Sequence, residues 1–389
     1  MCDVPALRFP EFTGEWERHK LSEVCSFYSG GTPSSSKKEY YNGNIPFIRS
    51  GELHKDYTEL FITEAGLSNS AAKLVETGDL LLALYGATSG DIAISKIKGA
   101  INQAILCIRT KQNKKFIESV WNKHVERLLQ TYLQGGQGNL SADIVKNIPF
   151  YFANSNEQDK LAKFISLLDE RIATQNKIIE DLKKLKSAIS KHLFARKDLL
   201  ETTICLSNIA TLKNGYAFQS GKYNALGKWK ILTITNVSGE RYINDEDYNC
   251  IINLPNDIQD HQVLKEGDIL ISLTGNVGRV SLCKDGDYLL NQRVGLLQLA
   301  KNVNQEFLYQ ILSSQRFENS MIACGQGAAQ MNIGKGDVES YVLPYSSNVN
   351  NILLVAKILH SYDEYIINEQ RKLTLLTMQK QYFLAQMFI

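Results

Sequence analysis

Little in this chain of 389 residues announces a chemistry. Its seven cysteines (Cys2, Cys25, Cys107, Cys205, Cys250, Cys283 and Cys324) are odd in number and contain no Cys-x-x-Cys pair. That argues against a disulfide framework and fits reduced thiols in a cytoplasm. The six histidines stand at no ligand spacing with those cysteines, so no metal site is expected. The seven prolines never adjoin, so the Asn/Asp-Pro-Pro-Tyr/Phe tetrapeptide of an amino-methyltransferase is absent, and "NLPN" at 253–256 does not supply it. There is no GxSxG elbow, no HExxH and neither of the glycine-rich phosphate fingerprints. No apolar run reaches the roughly 18 residues that span a bilayer. The opening "MCDVPALRFPEF" has no basic flank before an apolar core, so neither a membrane span nor a signal peptide is expected, and the expected location is the cytoplasm. A net charge of only +2 lacks the basic excess that marks a nucleic-acid protein at sight.

What the chain does contain is repetition. Apolar residues make up 44% and charged residues 22%, as in soluble globular proteins, and the length exceeds one typical core. "GDLLLALYGATSGDIAI" at 78–94 is nearly restated as "GDILISLTGNVGRVSL" at 267–282. Gly78-Asp79 matches Gly267-Asp268, and Asn102-Gln103 matches Asn291-Gln292, both 189 residues on. Gly136-Gln137-Gly138 matches Gly325-Gln326-Gly327 at the same offset. "GNLSADIVKNIP" resembles "MNIGKGDVESYVLP", and Asp169-Glu170 matches Asp363-Glu364 at an offset of 194. Earlier, "KLSEVCSFYSGGTPS" resembles "CLSNIATLKNGYAFQ". Matches in one order along nearly the whole chain mean an internal duplication.

Each copy has two parts. The first carries short apolar or alternating runs bounded by Gly, Pro, Asn and Ser, which predicts small sheets with a few helices. The second predicts one long helix. After Pro149, Ser155 and Gln158 read as a capping box. Ile165, Leu168, Ile172, Gln175, Ile179, Leu182, Lys186, Ile189 and Leu193 then step by three and four without a miss, a heptad seam. Adding 194 gives Leu359, Tyr362, Ile366, Glu369, Leu373, Leu376, Lys380, Phe383 and Met387, with polar interruptions at equivalent places. One such helix alone would be an ordinary amphipathic helix on its own domain. Two with shared register are expected to pair, antiparallel if the globular parts sit at opposite ends. Ile165–Leu193 measures about 43 Å at 1.5 Å per residue.

The fold expectation is α+β. Two similar domains, 1–155 and 198–346, are separated by long helices, 156–197 and 347–389, that form an antiparallel coiled coil. Three polar, glycine-bearing segments in each copy are candidate contact sites. The knots offer Tyr85, Thr88 and Ser89 in one copy, and Thr274, Asn276 and Arg279 in the other. These side chains can reach base edges or phosphates; equally, they can stabilise a hairpin turn. "INQA" and "LNQRV" offer Asn102 and Gln103, and Asn291, Gln292 and Arg293. Asn and Gln can bond adenine bidentately and Arg can bond guanine, but a polar strand start also wants such residues. The glycine-rich stretches carry Gln134, Gln137 and Asn139, and Gln326, Gln330 and Asn332. A shared frame with different side chains is what two readers of different short sequences would show, and also what drift after duplication would show.

In these features the chain resembles the specificity subunit (HsdS) of Type I restriction–modification systems. The resemblance covers residues 4 to 389. It rests on the lead-in "VPALRFPEFTGEW", the two "GD" strands, the "INQA" and "LNQRV" segments, the "GNLS…IP" exits and, most of all, the two long helices. It implies two target-recognition domains, each reading one part of a bipartite site in double-stranded DNA. It implies helices that hold the halves apart and dock modification subunits, two of them, with restriction subunits beyond. S-adenosylmethionine, ATP and Mg then belong to those partners, and this chain is not itself catalytic. A two-headed protein-binding scaffold without a DNA role is the alternative, and a methyltransferase acting alone comes third. Charge fits the DNA reading least well: 198–346 carries 12 Lys and Arg against 16 Asp and Glu, while 156–197 carries 10 against 6. Such a domain must cluster its cations or borrow phosphate contacts from a partner. If the helices act as a ruler, 43 Å equals roughly 13 base pairs at 3.4 Å each, an upper guide to the half-site separation.

Overall fold

The computed structural model describes residues 4–133, 139–325 and 331–389. The chain divides into two units, Met1–Asn176 with Lys372–Ile389, and Lys177–Arg371. Each is α+β; their first sheets share one strand order, and their second sheets differ in strand number.

Unit 1 is built on two small sheets. In the first, β2 (Cys25–Ser29), β9 (Ile105–Thr110), β6 (Leu80–Ala83) and β7 (Ile92–Ile94) lie in that order, all antiparallel. In the second the order is β4 (Phe61–Ile62), β3 (Tyr41–Ile48), β8 (Gly99–Ile101) and β5 (Lys73–Val75), with β3 and β8 parallel. A separate pair, β1 (Glu17–Lys20) and β10 (Pro149–Phe152), ties the entry of the globular part to its exit. Three short helices, α1 (Leu21–Val24), α2 (Glu64–Ser68) and α4 (Ala142–Asn147), fill the connections around the longer α3 (Lys114–Leu133).

Unit 2 has β12 (Ala210–Asn214), β18 (Val294–Leu299), β15 (Ile269–Ser272) and β16 (Val280–Leu282) as its first sheet. Its second is β14 (Asn249–Ile251), β13 (Trp229–Leu232) and β17 (Tyr288–Leu290), again with one parallel pair. β11 (Thr202–Cys205) pairs with β19 (Val342–Tyr345). Even register is kept: Leu80 faces Ile108, and Ile269 faces Leu297. The counterpart of α3 is broken into α6 (Gln305–Leu312) and α7 (Gln315–Gly325), with the short α8 (Lys335–Glu339) after them.

The "GD" strands are apolar at every position but Ser272 because both faces are covered. Leu80, Leu82 and Leu84 pack with Phe116 and Trp121 of α3, while Leu81 and Ala83 pack with Ile48 and Ile101 of the second sheet. Ile269, Ile271 and Leu273 divide from Leu270 in the same way. Burial on two sides replaces alternation with a continuous run.

The long helices are α5 (Ser155–Ala195) and α9 (Val349–Met387). The start of α5 departs from the expected cap. Asn154 accepts the Glu157 amide at 3.0 Å, whereas Gln158 donates its side-chain amide to the Ala153 carbonyl and to Gln112. Of the seam residues, Ile165, Leu168, Ile179, Leu193, Leu359, Ile366 and Met387 are buried, and Ile172, Leu182, Ile189, Tyr362, Leu373, Leu376 and Phe383 are half-buried. Within unit 1 the early part of α5 meets the end of α9, with Phe164 and Phe383 rings 4.9 Å apart edge to face. Within unit 2, Ile189 and Leu193 share a core with Val355 and Leu359 from the start of α9. In each unit, then, the two helix segments run antiparallel.

The seam's lysines have matching partners. Lys380 meets Asp169 at 2.5 Å in unit 1, and Lys186 meets Asp363 at 2.5 Å in unit 2. Each aspartate also answers the globular part. Asp169 accepts from Lys115 of α3 at 2.7 Å; Asp363 accepts from Arg241 at 2.9 Å and from Gln310 of α6 at 2.6 Å. Burial pushes the Asp169 carboxyl up, but hydrogen bonds from Lys115 and Lys380 outweigh it and hold it below its ordinary value. A depressed carboxylate stabilises the fold above its ordinary pKa of 3.8 and loses that contribution as pH falls through the folded value. Asp169→Asn is therefore expected to lower the melting temperature at neutral pH and to flatten its decline below pH about 4. Asp363→Ala, which leaves Lys186 without its carboxylate and Arg241 with Glu306 alone, is expected to cost about 1–3 kcal/mol. Thermal and denaturant unfolding measured across pH checks both.

Candidate DNA interface

Three segments far apart in sequence meet at one place in each unit, and backbone hydrogen bonds bring them there. In unit 1 the Leu84 amide donates to the Ala104 carbonyl at 2.8 Å, and the Leu84 carbonyl accepts the Leu140 amide at 2.8 Å. The knot is thereby tied to "INQA" on one side and to "GNLS" on the other, where Tyr85 bridges Asn139. In unit 2 the Leu273 amide donates to the Arg293 carbonyl at 3.0 Å, and its carbonyl accepts the Ile333 amide at 2.9 Å. Thr274 bridges Asn332 there, and its hydroxyl donates to the Asn332 side-chain oxygen at 3.1 Å.

A helix closes each knot from below. The Trp121 indole donates to the Gly90 carbonyl at 2.7 Å, and Gly90 has φ +86°. Its counterpart Gly278 has φ +78°, and a Cβ there would run into Met321 of α7. Both the left-handed backbone and the close helix call for glycine. The second knot is one residue shorter, with seven residues between β15 and β16 against eight between β6 and β7.

The candidate side chains divide by what already occupies them. The Ser89 hydroxyl donates to the Leu84 carbonyl at 2.9 Å, inside the turn. Asn102 accepts the Ala104 amide at 3.0 Å, and Asn291 accepts the Arg293 amide at 3.1 Å, so both shape the start of the next strand. Arg279 turns to α7, 3.5 Å from Glu318, rather than joining the other polar groups. Tyr85, Thr88 and Thr274 are half-exposed; Gln103, Asn139, Asn276, Gln292, Arg293 and Asn332 are exposed. Among the described residues the Arg293 guanidinium has no hydrogen bond or ion pair. Gln134, Gln137, Gln326 and Gln330 lie outside the described residues. Asp91, the last residue of the first knot, is 2.8 Å from His54, and that hydrogen bond holds the imidazole above its ordinary pKa.

A fourth segment joins the cluster in each unit. Thr32 donates its hydroxyl to the Gln103 side-chain oxygen at 2.6 Å. Tyr216 exchanges backbone bonds with Leu290 and Gln292 at 2.8 and 3.0 Å, and its phenol donates to Asp257 at 2.8 Å. The signal was present in the match of "SGGTPS" to "NGYAFQ", which duplication alone explained. The glycines mark it best: a Cβ on Gly30 would strike the Ile101 carbonyl, and one on Gly215 the Asn291 carbonyl.

With this arrangement in view, the comparisons with known proteins are decisive. Residues 13–184 and 201–378 match the family model of the Type I restriction modification DNA specificity domain. The chain belongs to that family. Among curated relatives of this specificity family, the Type I restriction enzyme MjaVIII specificity subunit of Methanocaldococcus jannaschii is 25% identical over 82% of this chain and 79% of its own length. The EcoR124I/EcoR124II specificity subunit of Escherichia coli is 27% identical over 50% of each chain. A solved S subunit of a Type I restriction-modification system from M. genitalium shares the fold, with TM-score 0.59, 16% identity and 99% coverage of both chains. A chain from a structure of the type I R-M system gives TM-score 0.57 at 15% identity, covering 96% of this chain and 97% of its own. The family matches cover each globular part together with most of its long helix, so the repeating unit includes both.

The close approach of the fourth segment gives a test of the site's frame. Gly215→Ala is expected to cost about 1–3 kcal/mol, since the opposing atoms are backbone and cannot turn aside. Gly221→Ala, where a Cβ meets nothing within 4 Å, is expected to change stability by a few tenths at most. Denaturant midpoints of the two variants make the comparison.

Proposed function

We propose that this chain is the DNA sequence-recognition subunit of a Type I restriction–modification complex, each half reading one part of a bipartite site. The recognition domains are 1–155 and 198–346, and the helices 156–197 and 347–389 carry the modification subunits. Two such subunits supply S-adenosylmethionine and the adenine chemistry; restriction subunits supply ATP- and Mg-dependent steps. This chain contributes selection of the site and no bond-making.

One observation carries the reading. Backbone bonds gather the same three segments in both units and a fourth joins each cluster, while the side chains offered differ: Tyr85 against Thr274, and Ala104 against Arg293. Phosphate contacts position a protein, whereas base-edge contacts specify sequence, and a fixed frame with variable tips separates those tasks. Gln103, Gln292 and Arg293 are of the types that bond adenine and guanine bidentately. Asn102 and Asn291 act through the turn, and Arg279 through its pair with Glu318.

Replacing residues 1–155 with those of a relative should change one half of the methylated sequence and leave the other, read by methylome sequencing of cells that carry each form. A change in both halves, or an adenine methylome indifferent to deletion of the gene, would overturn the reading. Arg293→Ala should cost about 1–3 kcal/mol in binding to the specific site and relax one position of it. Arg279→Ala should leave that position as selective as before.

A further inference from the structure

We propose that unit 2 holds a docking site for an arginine of the modification subunit, in a cavity at the start of β15 where Asp268 lacks the cations that its duplicate Asp79 holds. In unit 1 those cations are internal. Arg109 donates to Asp79 Oδ2 at 3.1 Å. Lys114, which opens α3, lies 3.5 Å from Oδ1 and donates to the Gly78 carbonyl at 2.5 Å. Register fixes the counterparts in unit 2. Arg109 follows Ile108, which faces Leu80; Gln298 follows Leu297, which faces Ile269. Gln305 opens α6 and donates to the Gly267 carbonyl, as Lys114 does to that of Gly78. Both cations are replaced by neutral amides, while the carboxylate is kept.

Among the described residues no cation forms an ion pair with Asp268. Its Oδ2 accepts the Lys265 amide at 2.8 Å, and the other oxygen accepts no hydrogen bond. The residue is half-buried, so a ligand can reach it. Burial pushes its carboxyl above the ordinary value; at Asp79 burial acts the same way, but the Glu76 amide and Arg109 outweigh it and hold that carboxyl below. The cavity beside Asp268 measures about 340 Å³ and is lined also by Gln298 and Gln305. Its other charged residues, Asp260 and Lys265, are exposed, opposite in sign and without an ion pair among the described residues, and His261 lies 3.2 Å from the Asn214 carbonyl. Gln305 spends its nitrogen on Gly267, which leaves its oxygen as a further acceptor. Several acceptors around one negative charge suit the planar guanidinium, with its five donors, better than an ammonium. Arg109 likewise makes the closer contact to the carboxylate in unit 1. A DNA phosphate has the wrong sign for this site. Asp268 also stands at the opposite end of β15 from the knot, so a protein partner seated here leaves the candidate DNA edge free. Glu306, next to Gln305, lies 3.5 Å from His360 of α9. The cavity thus adjoins a helix that the proposed function gives to the modification subunits, and the choice of partner rests on that reading.

The test measures assembly of the full chain with the modification subunit of its own system, by analytical ultracentrifugation at pH 7. Asp268→Asn keeps an acceptor for the Lys265 amide and removes the charge. It is expected to weaken assembly about tenfold and to leave the melting temperature unchanged or higher. Gln298→Arg with Gln305→Lys, which gives Asp268 the cations of unit 1, is expected to raise the melting temperature and to weaken assembly as much. Asp79→Asn, whose cations are internal, is expected to lower the melting temperature and leave assembly as it was. Ethylguanidinium chloride should compete with assembly of the wild type more strongly than ethylammonium chloride at the same concentration, and the difference should vanish in Asp268→Asn. If the wild type assembles and either Asp268→Asn or the double variant assembles equally well, this inference alone is overturned; equal competition by the two ions overturns it too. A wild-type chain that assembles with no modification subunit overturns the proposed function and this inference together.

Discussion

Everything in this architecture passes through two equivalent aspartates. Asp169 and Asp363 each stand on a long helix, and each accepts from two directions: from a lysine of the other helix, and from a cation of the globular part. On α5 the aspartate comes early and the lysine late, and on α9 the order is the same. Crosswise pairing of this kind closes only when the helix segments run antiparallel. A parallel pair would set carboxylate against carboxylate and ammonium against ammonium. The apolar seam alone does not choose direction, because leucine and isoleucine pack either way. The paired charges do, half-buried at Asp169, Lys380 and Lys186 and buried at Asp363, at the expense of desolvation, and polar groups in a seam are best known for that service.

The same economy of means holds at the candidate interface. What gathers the loops is the main chain: the amide and carbonyl of Leu84, and those of Leu273, reach the two neighbouring segments. Main-chain bonds are indifferent to side-chain identity. The tips can therefore change from Tyr85 to Thr274, or gain Arg293, while the frame keeps its register. Where the frame does need a particular residue it needs glycine, under the helix at Gly90 and Gly278 and against a carbonyl at Gly30 and Gly215. The glycines are the fixed points and the polar residues are the variables.

This division also explains what could be read from the sequence. Duplication, the strands flanking each knot and the helical seam were legible, because each is a local pattern written twice. Strand β6 was legible as buried, but the reason for its unbroken apolarity, a sheet on one side and a helix on the other, needed the fold. The convergence of the segments was not legible, since hydrogen bonds between Leu84 and Ala104, or Leu273 and Ile333, leave no mark on side-chain choice. Lys186 and Lys380 read only as defects in the seam. Their partners were visible as a repeated Asp-Glu motif, yet nothing local says that one helix's motif faces the other's defect. The break between α6 and α7 was hidden for a related reason: Ser313 and Ser314 are ordinary helix-end residues, and only the unbroken α3 shows that a helix could have continued.

Charge gives the sharpest case of a bulk number misleading. Segment 198–346 is net acidic, which taken alone argues against a DNA-facing domain. Most of its carboxylates, however, are used within unit 2. Asp245 is bound by Lys284, Lys230 and Tyr288 and is held down to a pKa of about 2 despite the opposing effect of burial. Glu306 meets Arg241, Glu318 meets Arg279, Asp287 meets Lys228, and Glu240 meets Lys183 of α5. Others cap turns, as Asp268 and Asp337 do by accepting backbone amides. A paired carboxylate contributes a short-range dipole, and salt screens what remains within about 10 Å. The field at the gathered edge is then governed by the few groups there that have no partner among the described residues, and Arg293 is one of them. A domain can be acidic in sum and still present a cation where its loops converge, provided its acids are occupied elsewhere.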